Sequence, residues 1–208
     1  MIARIGSELR RGTSIDTQIG AAITTAITKF QAERLFQKDE TNTFSTVASQ
    51  ATYSSADASW LGRVSRLDYV HLLINGISFP LTWRADDWLD VASVSAYSGQ
   101  PYHYGWFAEA LKLYPPPSQV WTVRVAGNFE EAAPATDAET GNTWMTTAED
   151  LIRCQAKYEL YTHVLANPQR AAMFDPDNPA SPTAKALRAL QKRTTAKMAT
   201  GYVMPWCM

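Results

Sequence analysis

The residues able to do chemistry are few and scattered. The three histidines, His71, His103 and His163, have no cysteine or second histidine at the spacing of a metal site, so each reads as structural or solvent-facing. The segment Asp175-Pro-Asp-Asn-Pro179 resembles the start of a calcium loop but lacks the glycine and the distal glutamate, and reads as a turn. Asp86-Asp87 and Glu130-Glu131 are carboxylate pairs of the kind a glycosidase uses. No nucleophile, base and orienting group accompany either pair. No glycine-rich phosphate loop, GxSxG elbow or HExxH helix occurs. Four aromatic residues between Tyr102 and Phe107 could stack sugars or bases. Nucleic-acid readout would add nearby cations, and the nearest, Arg84 and Lys112, lie in an acidic stretch. The expectation is a non-enzymatic chain without metal or cofactor.

Composition is that of an ordinary globular protein, and the overall charge names no partner. The chain has 208 residues, 46% of them hydrophobic, enough for one large domain or two small ones. The net charge of −1 hides an asymmetry. Residues 1–38 carry +3, residues 39–150 carry −9 and residues 151–208 carry +5, so both ends are basic and the middle is acidic. The two cysteines, Cys154 and Cys207, make no disulfide framework, which points to a reducing compartment. The start does not read as a signal peptide, and no run approaches the ~18 apolar residues of a membrane span. A soluble protein made in a cytoplasm is expected.

The elements that must position these residues follow from periodicity. Ile2, Ile5 and Leu9 suggest a short first helix. Ile15, Ile19, Ile23, Ile27 and Phe30 recur on one face of a second, with Thr13 or Ser14 as cap and Asp16 in the first turn. Residues 40–60 show no clear period. "RLDYVHLLI", Asn75-Gly76 and "ISFPLTW" form a hairpin signature. "RADDWLDVAS" suggests a short helix with Trp88, Leu89 and Val91 or Ala92 towards a sheet. Strands are expected over Tyr102–Phe107, Ala110–Tyr114 and Gln119–Ala126, with Pro115, Pro116 and Pro117 separating the last two. Trp106, Leu113 and Trp121 should be at least partly buried there.

"TTAEDLIRCQAKYELYTHVL" carries two apolar stripes, with Thr146 or Thr147 as cap, and should be the most buried helix. "NPQRAAMFDPDNPASP" reads as a turn-rich connection. A final helix from Pro182 towards Gly201 places Leu187, Leu190, Thr194 and Met198 on one side and Lys185, Arg188, Lys192 and Arg193 on the other. The basic side could touch phosphate, and suits a solvated face or a face meeting an acidic protein at least as well. The expected fold is α+β: an antiparallel helical bundle from the N- and C-terminal segments (1–45 and 145–200), a β-rich insertion (46–144) and a C-terminal tail (201–208).

The order of these features resembles the head-to-tail adaptor (connector, or head-completion) proteins of tailed bacteriophages, of the short-tailed type. The resemblance lies in "ELRRGTSIDTQIGAAITTAITKFQAERLF", the "GQPYHY" turn, "LKLYPPPSQVWTVRV" and "NTWMTTAEDLIRCQAKYELY". Gly99, Pro101, Tyr102, Leu111, Leu113, Pro115, Pro117 and Trp144 match best. The "Tyr-x-Leu-Pro" entry of the family is replaced by "ATYSSADASWLG", which leaves the path of residues 51–64 open.

The resemblance implies a structural virion protein at the head–tail junction, assembled as a ring, commonly of twelve copies, beneath the portal. It would receive tail or nozzle proteins below and let DNA pass without sequence-specific binding, with no membrane and no cofactor. The C-terminal segment would dock on the portal. Tyr202, Val203, Met204 and Trp206 are apolar and too few to form their own core, and Lys185, Arg188 and Lys192 would steer them towards an acidic surface. The rival reading is a peptidoglycan- or carbohydrate-acting virion protein using the aromatic residues with Glu130 or Glu131.

Overall fold

The computed structural model of the chain describes residues 1–93, 97–134, 139 and 141–198. In chain order the elements are α1 (Ile2–Glu8), α2 (Asp16–Phe30), a 3-10 turn (Phe36–Lys38), β1 (Asp39–Ser45), β2 (Thr52–Tyr53), a second 3-10 turn (Ser59–Arg63), β3 (Val64–Ile74), β4 (Ile77–Pro80), β5 (Thr82–Trp83) and α3 (Asp86–Ser93). Then come β6 (His103–Phe107), β7 (Ala110–Tyr114), β8 (Thr122–Phe129), α4 (Thr143–Thr146), α5 (Glu149–Glu159), a π-helical turn (Leu160–Val164), α6 (Pro168–Phe174) and α7 (Pro182–Met198). They fall into two compact units, Met1–Lys38 with Glu131–Met208, and Asp39–Glu130.

The helical unit is built on α5. Leu151, Ile152, Cys154, Gln155 and Ala156 are all buried, so both apolar stripes of this helix find partners. α2 lies against it through Ile19, Ile23, Ala26, Ile27 and Phe30, and α6 and α7 pack on it from the C-terminal side. Trp144, wholly buried, fills the centre and donates its indole N–H to the Glu131 carbonyl at 2.9 Å. Lys38 is also buried. Its ammonium bonds the carbonyls of Gln31 and Glu33, near the end of α2, and lies 5.8 Å from the Trp144 ring centre. A cation placed on orphan carbonyls and an aromatic ring has the partners that burial demands. Across the surface of this unit Glu8 ties α1 to α5 through Lys157 and, at 3.0 Å, Arg153.

The second unit holds two four-stranded sheets, in the orders β1-β8-β3-β4 and β2-β7-β6-β5. The first is wholly antiparallel; in the second β5 runs parallel to β6. Phe44, Val70, Leu72, Val123 and Val125 of the first sheet meet Tyr53, Tyr104, Leu111 and Leu113 of the second in one core. Asn75 and Gly76, with φ of 49° and 78°, make the left-handed two-residue turn that their types demand between β3 and β4. Gly127 is needed for a close approach: a Cβ there would stand 2.1 Å from the Arg66 carbonyl oxygen of β3.

The expected antiparallel bundle of terminal segments with a β-rich insertion is corrected. The structure is α+β with two four-stranded sheets and, among the described residues, seven α-helices. One of them, α3, belongs to the β unit, where Leu89 is fully buried. The rest gather around α5 rather than forming one antiparallel bundle of N- and C-terminal helices, because connections break the C-terminal segment into four helices and a π turn.

Local expectations change as well. α2 is preceded by Ile15 and α5 by Ala148, neither with a capping side chain, so the Thr13/Ser14 and Thr146/Thr147 caps are not formed. Residues Thr143–Thr146 make their own helix, capped by Asn142 Oδ1, which accepts from the Trp144 N–H at 3.1 Å. The connection after α5 contains α6, started by Asn167 and Pro168. Trp88 and Val91 of α3 are exposed, while Trp106 and Trp121 are half-buried and Leu113 is buried.

Candidate functional site

The groups singled out for chemistry are engaged in holding the fold. Glu131 accepts from the Thr143 N–H at 3.0 Å and from the Thr143 hydroxyl, so its carboxylate closes the start of α4. Glu130 bonds Arg63 through its backbone only, accepting from Nη1 at 3.2 Å and donating its N–H to the Arg63 carbonyl at 2.6 Å. Asp86 and Asp90 flank Lys112, and Asp87 Oδ1 accepts from the Trp88 N–H at 2.8 Å. Asp175 and Asn178 accept from the Asp177 and Ala180 N–H groups, each at 3.0 Å, the geometry of successive turns leading into α7. Among the described residues no cluster of three or more His, Cys, Asp or Glu is placed to hold a metal.

The histidines do not converge either. His71 Nδ1 lies 2.8 Å from Ser78 Oγ, with its ring against Tyr69. His163 Nε2 stands 3.4 Å from Glu159 Oε2 one turn back. His103 sits among Tyr102, Tyr114 and Trp88, and burial, reinforced by the Arg84 charge, holds it below the usual imidazole value. Alternation splits the aromatic run 102–107. Tyr104 enters the core with Trp106 packed against it, Phe107 faces the other way, and Tyr102, just ahead of β6, is exposed, so the run is not a continuous stacking surface. Cys154 is buried, and desolvation raises its thiol above the ordinary range.

What the structure leaves open to partners is surface. Lys185, Arg188 and Lys192 lie exposed along α7 and, with Ala189, Gln191 and Thr195, line a shallow groove. Leu190 and Thr194 are buried behind them. The Thr194 hydroxyl donates to the Leu190 carbonyl at 2.9 Å and accepts from the Phe36 N–H at 3.0 Å. Arg193 separates from the other cations: it stands 5.0 Å from the Phe36 ring centre and Lys197 stands 4.1 Å from it. Tyr202, Val203, Met204 and Trp206 lie outside the described residues.

A second surface was missed by sequence reasoning. The β3–β4 hairpin exposes Ile77 (62%) and Phe79 (40%). Ile77 pairs with Ile74, and Phe79 with the fully buried Leu72, so these side chains share the core-facing register of the sheet yet extend past the core. The signal was present in the sequence: Val70–Leu81 contains no Asp, Glu, Lys or Arg. Both side chains lie on β4, the edge strand of its sheet, and are open to solvent.

Glu131 and the histidines have structural neighbours, while the α7 face of one unit and the β3–β4 hairpin of the other are open. Sequence comparison supplies the class. The model of the SU10 adaptor protein family matches residues 1–203. The chain belongs to that family, which is a family of phage head-to-tail adaptors. A search of curated proteins found no match. Membership makes the chain a structural component of the virion, acting between head and tail, and implies interaction with portal and tail proteins. No helix among the described residues is long and apolar enough to cross a membrane.

Proposed function

We propose that the protein forms a homo-oligomeric ring of twelve copies beneath the portal of a short-tailed phage, and joins it to the tail or nozzle without catalysing a reaction. DNA passes through the ring without sequence-specific binding. The observation that carries this reading is the pair of unlike open surfaces, a basic helix face on one unit and an uncharged apolar hairpin tip on the other. An adaptor has two different partners, and a ring needs unlike surfaces that meet head to tail. The excess of acidic residues over 39–150 suits a channel that repels sliding DNA.

We assign portal docking to the C-terminal tail, residues 201–208, through Tyr202, Val203, Met204 and Trp206, with Lys185, Arg188 and Lys192 adding electrostatic steering. Aromatic anchors of this kind are typical hot spots, worth about 2 kcal/mol or more each. The carbohydrate-acting alternative is weakened because Glu131, half of its carboxylate pair, is committed to closing α4. Deleting residues 201–208, or making Trp206→Ala, should abolish or sharply weaken portal binding while the circular dichroism spectrum stays that of the parent. Parent-like binding by both variants would move the docking surface elsewhere.

A further inference from the structure

Five of the residues of α7 are Lys or Arg and none is Asp or Glu. Two of these cations are used inside the unit, Arg193 and Lys197 over Phe36. The other three, Lys185, Arg188 and Lys192, stand at i, i+3 and i+7 and therefore form one column on the exposed face. None has a carboxylate partner among the described residues. The Arg188 Nη1 donates at 3.3 Å to the Pro179 carbonyl, and Glu33 reaches α7 through the Gln191 amide, also at 3.3 Å, rather than through a cation. Like charges one turn apart disfavour the helix that carries them. The column is thus an uncompensated cost in the isolated chain, and an opposing row of anions would remove it.

We infer that this column is a docking strip for a row of carboxylates on a protein partner, the acidic surface of the portal, which rests on the portal-docking reading above. Carboxylates are favoured over nucleic-acid phosphate by what lies between the cations. Ala189 leaves a shallow apolar floor, and Gln191 and Thr195 add uncharged hydrogen-bonding groups to the rim, so the groove accepts the side of a helix or an extended chain. The three cations follow the rise of one helix, about 10 Å from first to last, a spacing that a facing helix reproduces with acidic residues at i, i+3 or i+4, and i+7. Such contacts raise the association rate and fix register, while the apolar tail supplies affinity.

The test uses the full chain and a variant with Lys185→Gln, Arg188→Gln and Lys192→Gln. Three probes are titrated at 50 mM and 500 mM NaCl: the purified portal, poly-L-glutamate, and a 20-base-pair DNA duplex. The parent should bind portal at least tenfold more tightly than the variant at low salt, and the gap should close at high salt. It should bind poly-L-glutamate in preference to the duplex, and the variant should bind neither. The variant should melt no lower than the parent, since removing the column relieves repulsion. Equal portal binding by parent and variant at low salt overturns the inference and leaves the adaptor reading standing. Tighter binding of the duplex through the same cations overturns it in favour of a nucleic-acid surface. Poly-L-glutamate binding without portal binding overturns the adaptor reading and retains the carboxylate strip.

Discussion

The two units solve the same problem with different materials. The helical unit has a core of Ile, Leu and Ala around one tryptophan and laces its surface with ion pairs, Glu8 with Arg153 and Lys157, and Arg4 with Glu149 at 2.6 Å. The β unit has a core of Leu and Val set among aromatic rings, with Phe44 and Tyr53 ring centres 4.9 Å apart and Trp60 edge-on to Phe129 at 5.9 Å. Helices leave a wide polar face that must be charged, and so offer electrostatic surfaces such as the α7 column. Sheets end in edges and hairpin tips whose inward face can outrun the core, and so offer apolar ones. The two kinds of open surface follow from the two kinds of secondary structure.

If each core is set by its own anchor, substitutions should act locally. The largest effect is expected from Trp144→Ala, which empties the centre of the helical unit and removes the bond to the Glu131 carbonyl and the ring beneath Lys38. It should cost about 3–5 kcal/mol. Hydrogen exchange should accelerate in α2 and α5 while β3 and β8 keep their protection. Acceleration of equal size in both units would show that the division into two cores is energetically empty.

Gly127→Ala is the matching probe of the β unit. The added methyl must displace the Arg66 carbonyl, so β3 and β8 have to part. The expected cost is about 1–3 kcal/mol, read as lost protection in those strands. An unchanged exchange pattern would mean that the approach is not tight.

The smallest effect is pH-dependent. Burial alone would raise the Glu8 carboxyl, but the Lys157 hydrogen bond and the charges of Lys157, Arg153 and Arg4 outweigh it and hold the group below its ordinary value. A depressed carboxylate contributes stability that is fully present above its unfolded pKa, about 4.3, and is lost as pH falls through the lower folded value. Melting temperatures should therefore fall more steeply below about pH 4 for the parent than for Glu8→Gln. Parallel curves would remove Glu8 from the account of this unit.

What the sequence disclosed follows the same division. Helix periods are local: the Ile19, Ile23, Ile27 and Phe30 face and the Leu190, Thr194 face of α7 lie where spacing places them. Asn75-Gly76 fixed its hairpin because turn chemistry is local too. β1 escaped notice because only Phe44 of its seven residues is buried, and its pairing with β8 depends on chain more than seventy residues away. α6 was hidden by its flanking prolines, and α4 by a cap, Asn142, lying upstream of the threonines read as caps. The exposed positions of Lys185, Arg188 and Lys192 were legible from the helical wheel, whereas Arg193, on the same side of that wheel, stands against Phe36, 157 positions earlier. The hairpin tip was not found, since alternation reveals which residues share a face but not where the core beneath that face ends.

The central claim, a ring joining portal to tail, is tested most directly by electron microscopy of the purified protein mixed with its portal. The account predicts ring-shaped added density on the portal with one copy bound at each of twelve positions. Portal particles unchanged at micromolar protein, with the chain remaining free, would contradict it.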